Sequence, residues 1–248
     1  MLYTALLPED YVWSWPPVII PPRLNFSTFI TVFEERPILL WLSNTILVSV
    51  LTVILSVPPA LLAGYAFYRF DFRGKSSLFR LLFLTMVVPP TVIIVPYYLV
   101  LDSWGLTDSL IGLAITYLAF TIPTEIIIFY GYLFSIPREL EEAALLDGCS
   151  PLGVFVRIIL PLSVPGIIAI SIYSFSIAWN EFAFAMTLLR SPSNWTAVAG
   201  IRTFIGQWML AWDKVMITCV YFTIPAIIFY FLTQKYFVSG MTAGALKF

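Results

Sequence analysis

Five apolar stretches, each long enough to cross a lipid bilayer as a helix, constrain this chain more than any other feature. A hydrocarbon core of about 30 Å takes roughly 20 helical residues. The sequence is 60% hydrophobic and 11% charged, whereas soluble globular domains have about 45–50% and about 25%. We therefore predict an all-α membrane protein with five transmembrane helices. They are expected over residues 39–67, 81–101, 110–134, 164–189 and 215–232.

Residue types that the sequence lacks exclude several kinds of enzyme. The chain has 248 residues and no histidine, so a Ser-His-Asp triad, a Cys-His nucleophile pair and a histidine-ligated metal site cannot form. Its two cysteines, Cys149 and Cys219, fit neither a disulfide framework nor a Cys-x-x-Cys site. The net charge of −1 gives no sign of nucleic-acid binding. We expect a protein that is not an enzyme, binds no metal and has no nucleic-acid partner.

The distribution of charge between the spans predicts how the chain is oriented. Residues 68–80 contain four basic side chains and one acid, whereas residues 101–109 contain two acids and no basic residue. The positive-inside rule places the first of these loops in the cytoplasm. Following the chain from there, residues 135–163 and the tail from residue 233 are also cytoplasmic.

Residues 1–38 are predicted to form an external segment ahead of the first span. The part from residue 8 to residue 33 is rich in proline and tryptophan and is expected to be an extended loop. No charged n-region, apolar h-region or cleavage site of a signal peptide occurs here. We expect that a first span is missing before Met1. The alternative is a genuine start in which a short, weakly charged tail is translocated directly.

Prolines inside the predicted spans are expected to bend their helices, because each removes a backbone donor. Such bends suit helices that rearrange around a pathway, although proline is also generally commoner in membrane helices than in soluble ones. The positions are Pro58, Pro59, Pro89, Pro90, Pro96, Pro123 and Pro225.

The predicted cytoplasmic loop 135–163 has the punctuation of two short helices. Pro137 suits the first position of a helix, and Gly148 suits the left-handed residue that ends one. Ser150 can then cap a second helix, which begins at Pro151 and is expected to end before Pro161. We predict a helix, a tight turn and a second helix.

One face of the first loop helix carries small side chains. Leu140, Ala143, Ala144 and Asp147 follow one another at the helical spacing i, i+3, i+4 and i+7. Small residues let another surface approach closely, so this face is predicted to sit in a pocket on a partner protein. The alternative is that the helix packs along the membrane surface.

This loop resembles the EAA motif of the inner-membrane permeases of binding-protein-dependent ABC importers. The matching residues, at the spacing of that motif, are Glu142, Ala143, Ala144, Gly148, Ile158, Leu160 and Pro161. Further segments, Trp-Asn-Glu-Phe at residues 179–182 and a Gly-containing stretch at residues 234–245, resemble the maltose-type, carbohydrate-importing branch. The resemblance implies the transmembrane domain of a type I ABC importer over residues 39–248. That family usually has six spans, which agrees with the expected missing one.

The resemblance also implies function and partners. It implies a sugar or oligosaccharide permease of a prokaryotic inner membrane, surrounded by lipid, with its C-terminus in the cytoplasm. A cytoplasmic ABC ATPase dimer, a second permease subunit and an extracytoplasmic solute-binding protein would be its partners. The helix that contains Glu142, Asp147 and Gly148 would be the coupling helix. Gly74-Lys75-Ser76 resembles the end of a phosphate-binding loop but lacks its first glycine and its preceding strand. We therefore expect the partner to bind ATP and this chain to have no cofactor of its own.

Two acids within the spans, Glu125 and Glu181, leave other functions open. A carboxylate in the membrane is costly and is a functional hypothesis by default. The two acids could relay protons in a secondary transporter, serve an intramembrane enzyme, or hold helices together. We predict structural or pathway-lining roles, with Trp179, Asn180 and Glu181 as candidates for the substrate pathway. Import of a solute other than a sugar also stays open.

Overall fold

The structure is a computed structural model that describes residues 1–21, 23–205 and 211–245; side chains beyond residue 234 lie outside the description. The regular elements in this part of the chain are helices. The α-helices are α1 (Leu2–Leu6), α2 (Glu9–Val12), α3 (Thr28–Glu35), α4 (Ile38–Arg69), α5 (Lys75–Val87), α6 (Ile94–Ser103), α7 (Leu110–Leu133), α8 (Arg138–Leu146), α9 (Pro151–Val154), α10 (Leu160–Leu162), α11 (Val164–Asn180), α12 (Ala183–Leu188), α13 (Ala197–Ile201) and α14 (Trp212–Ala245). Short 3-10 turns lie at Pro90–Ile93, Pro192–Asn194 and Arg202–Phe204, and a π-helical turn lies at Phe155–Ile159.

Three helices in the described part of the chain are long and apolar enough to cross a membrane without interruption. They are α4, α7 and the part of α14 from Trp212 to Gln234. Two bent pairs can supply further spans: α5 with the segment Pro90–Ser103, and the segment Pro151–Leu162 with α11. Counting each pair once gives up to five spans, in agreement with the predicted all-α membrane fold.

The second predicted span is not one continuous helix. It divides into α5 and the segment Pro90–Ser103, which meet at 89°. Val88 and Pro89 are extended at this point, because a residue before proline avoids the helical region and proline cannot donate to the preceding turn. By contrast, α4 continues through Pro58 and Pro59, so proline alone does not decide where a span breaks.

The fourth predicted span also ends earlier than expected. Helix α11 stops at Asn180, Glu181 is extended, and the separate helix α12 begins at Ala183. The prediction carried the span on to residue 189 because hydrophobic residues resume at Phe182 and Ala183, although Asn180 and Glu181 interrupt the run. The physical cause is the Glu181 side chain, which accepts hydrogen bonds from the Phe184 and Ala185 N–H groups in the first turn of α12.

The segment 1–38 is less extended than predicted. Helix α3 packs Val32 against Ile217 of α14, together with Ala5 from α1. The Tyr221 hydroxyl group donates a hydrogen bond to the Phe29 carbonyl oxygen at 2.8 Å. The last part of this segment therefore forms a packed helix through its apolar residues at helical spacing, although the start of the segment is rich in proline. The Trp13 and Trp15 side chains remain exposed.

The centre of the molecule is formed by α4, α7 and α11. At the end of this bundle that carries α8, the packed residues include Leu61, Tyr65, Phe129 and Ile170. Helices α4 and α7 approach closely there, since a Cβ built on Gly64 would lie 2.9 Å from Phe129 Cδ1. Polar side chains also face this interior, among them Thr45, Ser49, Thr52, Ser56, Thr116, Thr121, Glu125 and Ser174. Large apolar side chains such as Ile54 and Phe231 are exposed on the outside, as expected where lipid is the solvent.

The opposite end of the bundle is held by hydrogen bonds between α4 and the segment 192–197. Trp41 Nε1 donates to the Pro192 carbonyl oxygen at 3.1 Å, and Asn44 Nδ2 donates to the Ser193 carbonyl oxygen at 2.8 Å. The Ala197 amide donates to Thr45 Oγ1 at 2.7 Å. Helix α4 thus connects the two ends of the molecule.

Candidate functional site

Helix α8 begins at Arg138, so Pro137 is its N-cap and not its first residue as predicted, and a left-handed glycine ends the helix as its sequence predicts. Gly148 has φ of +86°. Its amide donates to the Leu145 carbonyl oxygen at 3.1 Å, and the Cys149 amide donates to the Ala144 carbonyl oxygen at 3.0 Å. These two bonds form the Schellman motif that closes a helix C-terminus. The turn fixes the direction in which the chain leaves α8.

The predicted contact face of α8 is divided between two environments. Leu140, Ala143 and Asp147 are exposed together with Glu142. Ala144 is instead buried in the packed cluster at this end of the bundle. Leu146 is the last residue of the helix and is 89% exposed. A large apolar residue held so far from the bundle interior is the strongest contact candidate on α8, and the small-residue pattern did not reveal it.

The second loop helix is longer than predicted. Ser150 Oγ accepts a hydrogen bond from the Gly153 amide at 3.1 Å, so the predicted cap is present. The helix then widens into a π-helical turn over Phe155–Ile159 and continues through Pro161 to Leu162. Proline has no backbone N–H to donate, and the widened turn accommodates the hydrogen bond that is lost. Pro161 therefore does not end the helix. Ile158 and Leu160 are half-buried against the cluster that contains Ala144.

An ion pair between the exposed Arg69 and a buried carboxylate joins α8 to the end of α4. Arg69 Nε lies 3.1 Å from Glu141 Oε2, and the Glu141 side chain is only 4% exposed. One turn earlier, the Arg138 guanidinium group lies over the Tyr68 ring, 5.2 Å from its centroid. Burial raises the pKa of Glu141, and the charges of Arg69 and Arg138 act against this shift. Sequence reasoning missed this connection, because the two residues lie far apart in the sequence.

A cleft of about 610 Å³ lies between α5, α7 and α11. Asn180 and Glu181 line it, together with Thr124, Tyr173 and Ser176. Aromatic and apolar residues complete the wall, including Met86, Phe120 and Phe184. The cleft therefore combines hydroxyl and amide groups with aromatic rings, a combination suited to a solute with both polar and apolar faces.

Glu181 supports the wall of this cleft as well as lining it. Its carboxylate accepts hydrogen bonds from the Phe184 and Ala185 amides at 3.0 and 3.1 Å. The buried Tyr117 hydroxyl group donates to Glu181 Oε2 at 2.9 Å. A carboxylate at a helix N-terminus is stabilised by the helix dipole. The side chain thus fixes the break between α11 and α12.

The three predicted pathway residues do not share one surface. Asn180 is exposed, and its Nδ2 donates to the Ser176 carbonyl oxygen at 2.8 Å. Trp179 is buried and stacks on Phe175, with ring centroids 5.3 Å apart. It lines a separate apolar cavity of about 380 Å³ between α4, α11 and α14. The structure therefore brings Asn180 and Glu181 together and separates Trp179 from them.

Glu125 lies away from the cleft, in the packed centre of the bundle. It is fully buried on α7, and Ser56 Oγ of α4 donates to its Oε1 at 2.8 Å. Its Oε2 has no hydrogen-bond partner within the described part of the chain. The contact joins two spans. Within the same described residues, no group of three His, Cys, Asp or Glu side chains is placed to hold a metal ion.

Comparison with known proteins identifies the family. Residues 56–243 match the model of the binding-protein-dependent transport system inner membrane component. The chain belongs to this permease family. Glu125, Asn180, Glu181 and the whole of α8 lie inside the matched range.

Named relatives cover the entire chain. The permease is 30% identical to the diacetylchitobiose uptake system permease protein DasC of Streptomyces coelicolor, covering 100% of this chain and 90% of that protein. It is 28% identical to the sulfoquinovosyl glycerol transport system permease protein SmoH of Agrobacterium fabrum, covering 100% of this chain and 87% of that protein. The fold matches a chain in the crystal structure of a bacterial ABC transporter involved in the import of the acidic polysaccharide alginate. That match has a TM-score of 0.80 and 23% identity, and it covers 95% of this chain and 88% of the other.

Proposed function

We propose that this chain is a permease subunit of an ATP-driven importer for a sugar or oligosaccharide. It would form the pathway with a second permease subunit and receive solute from an extracytoplasmic binding protein. A cytoplasmic ABC ATPase dimer would bind and hydrolyse the ATP, so the permease itself would need no cofactor and perform no covalent chemistry. The α8 end of the bundle and the C-terminus would then face the cytoplasm.

The single observation that carries this proposal is the exposed surface of α8. Leu146 is 89% exposed and is flanked by the exposed Glu142 and Asp147. The helix itself is held in place by Ala144 and Glu141, which face the bundle. An apolar tip with acidic flanks on a firmly attached helix suits insertion into a cleft on a partner. In the permease family that partner is the ATPase subunit, and α8 corresponds to the coupling helix.

The proposed solute class rests on the cleft and on the relatives. Tyr173, Thr124 and Ser176 offer hydroxyl groups, and Phe120 and Phe184 offer rings on which a sugar face can stack. DasC is named for diacetylchitobiose and SmoH for sulfoquinovosyl glycerol, both sugar derivatives. Asn180 is an exposed polar residue of the cleft and carries an amide group, so we assign it to solute contact. We assign Glu181 to shaping the cleft wall.

Coupling would work as a shift between two arrangements of the spans. ATP binding would close the ATPase dimer, draw the coupling helices of the two permease subunits together and favour the outward-open arrangement. Hydrolysis would favour the inward-open one. A ligand shifts such an equilibrium only through its different affinities for the two states. The α8 contact surface must therefore bind the open and closed ATPase differently.

Energy dependence of uptake separates this proposal from proton-coupled transport through Glu125 and Glu181. Cells or proteoliposomes containing the whole transporter are supplied with labelled diacetylchitobiose or another oligosaccharide. Uptake should stop when ATP is depleted and persist when a protonophore collapses the proton gradient. The reverse pattern would support the secondary-transport alternative. ATP-dependent uptake confined to solutes other than sugars would keep the importer and reject the solute class.

A further inference from the structure

The attachment of α8 to α4 goes beyond a single contact. Arg69 and Tyr68, the last two residues of α4, each hold one residue of the first turn of α8. Arg69 pairs with Glu141 at 3.1 Å, and Tyr68 lies under the Arg138 guanidinium group at 5.2 Å. Two attachment points three residues apart on a helix restrict both its position and its rotation.

The Glu141–Arg69 pair is the more demanding of the two attachments. Glu141 is 4% exposed, and removing the cation that pairs with a buried carboxylate leaves its charge without compensation, which is unfavourable. Arg69 is the nearest cation and is 38% exposed, so it remains within reach of solvent. A displacement of α8 that pulled Glu141 away from Arg69 would strand the buried carboxylate. It is therefore favourable for α4 to move with α8.

Helix α4 carries such a displacement to the other end of the molecule. Its 32 residues run without interruption from Ile38 to Arg69. At the far end, Trp41 and Asn44 donate hydrogen bonds to the carbonyl oxygens of Pro192 and Ser193. The two residues just before this segment are anchored by Asp108, whose carboxylate accepts hydrogen bonds from the Arg190 and Ser191 amides at 2.9 Å.

We propose that Glu141 and Arg69 are positioning residues that transmit the displacement of α8 to α4 and, through α4, to the segment 192–197 at the opposite end. This rests on the proposed function, since it requires that an ATPase moves α8. It adds a defined route: α4 responds directly through the ion pair, in parallel with the covalent connection through α9, α10 and α11. Neither residue contacts the solute cleft or the exposed surface of α8.

The test uses the assembled transporter with its ATPase, second permease and binding protein. Glu141→Gln and Arg69→Gln each remove one charge of the pair, and the double variant Arg69→Glu with Glu141→Arg reverses it. Lys75→Gln is the matched control, because Lys75 forms an exposed ion pair with Asp71 at 3.0 Å that does not involve α8. Each variant is measured for retention of the ATPase, thermal unfolding, and solute taken up per ATP hydrolysed.

We expect both single variants to retain the ATPase while solute taken up per ATP falls about tenfold, within the ~5–150-fold range of typical coupling between sites. The reversed pair should recover most of this loss, and Lys75→Gln should behave as wild type. Wild-type uptake per ATP in both single variants would overturn the proposal, as would a reversed pair that assembles without recovery. A double-mutant cycle on thermal unfolding that shows no coupling between Glu141 and Arg69 would also overturn it. Failure of the wild-type chain to retain any ATPase would instead overturn the proposed function.

Discussion

Replacing Gly148 is the perturbation whose effect the structure defines most closely. Its φ of +86° lies in the region that a residue with a Cβ rarely adopts, and a Cβ built there would meet no atom within 4 Å. Backbone strain is therefore the only direct penalty of Gly148→Val. That strain costs about 1–2 kcal/mol for an L-residue. The ratio of molecules with the native turn after α8 to molecules with another conformation there should fall about 5–30-fold.

The assay compares ATP hydrolysis with solute uptake in the reconstituted transporter. Gly148→Val should be inserted normally, because the site is exposed, but uptake per ATP should fall, with about 5–30-fold as the upper limit that this strain can produce. Gly148→Asn is the matched control, since asparagine adopts the left-handed conformation more readily than other residues with a Cβ. It should retain most of the coupling. Equal, wild-type coupling in both variants would refute the role assigned to this turn.

Three further predictions follow from other contacts. Gly200→Ala would place a Cβ 2.2 Å from Trp41 Cε3. Because overpacking costs about 1–3 kcal/mol, the melting temperature should fall by several degrees. An unchanged melting curve would contradict this packing. Asp108 is affected most by burial, which raises its pKa, but hydrogen bonds from Ser191, Arg190 and Asn194 together lower the pKa overall. Its ionised form therefore stabilises the fold above the ordinary aspartate pKa of about 3.9, and this stabilisation is lost as the pH falls through the lowered folded-state value. The stability difference between wild type and Asp108→Asn, followed by unfolding at several pH values, should be constant near neutrality and shrink in acid; a difference that grows in acid would refute the sign. Glu142→Lys reverses an exposed charge on α8. It should leave membrane insertion unchanged and reduce the amount of ATPase retained in a pull-down. Unchanged retention would count against docking by this surface.

Much of the fold could be predicted because the bilayer imposes length and composition on its spans. The uninterrupted helices α4 and α7 correspond closely to the apolar stretches 39–67 and 110–134. The turn at Gly148 was equally predictable, because few residue types other than glycine occupy a left-handed position. In each case the signal is local in sequence.

The breaks and the long-range contacts could not be predicted from local patterns. Pro58 and Pro59 lie inside a continuous helix, while Pro89 and Pro90 mark a bend of 89°, so the Pro-Pro pair by itself does not predict a break. The Glu141–Arg69 pair joins positions far apart in the sequence. Such partners become visible only when the fold brings α4 and α8 together.

The central claim is that the exposed tip of α8 docks on a nucleotide-hydrolysing partner, and site-specific cross-linking tests it most directly. A photoreactive amino acid replaces Leu146 in the assembled transporter, and the same amino acid replaces the exposed Leu24 as a control in the segment predicted to be external. The account predicts a cross-link from position 146 to the ATPase subunit, with a yield that changes when ATP is added, and none from position 24. A cross-link from position 146 only to lipid or to the solute-binding protein would contradict it.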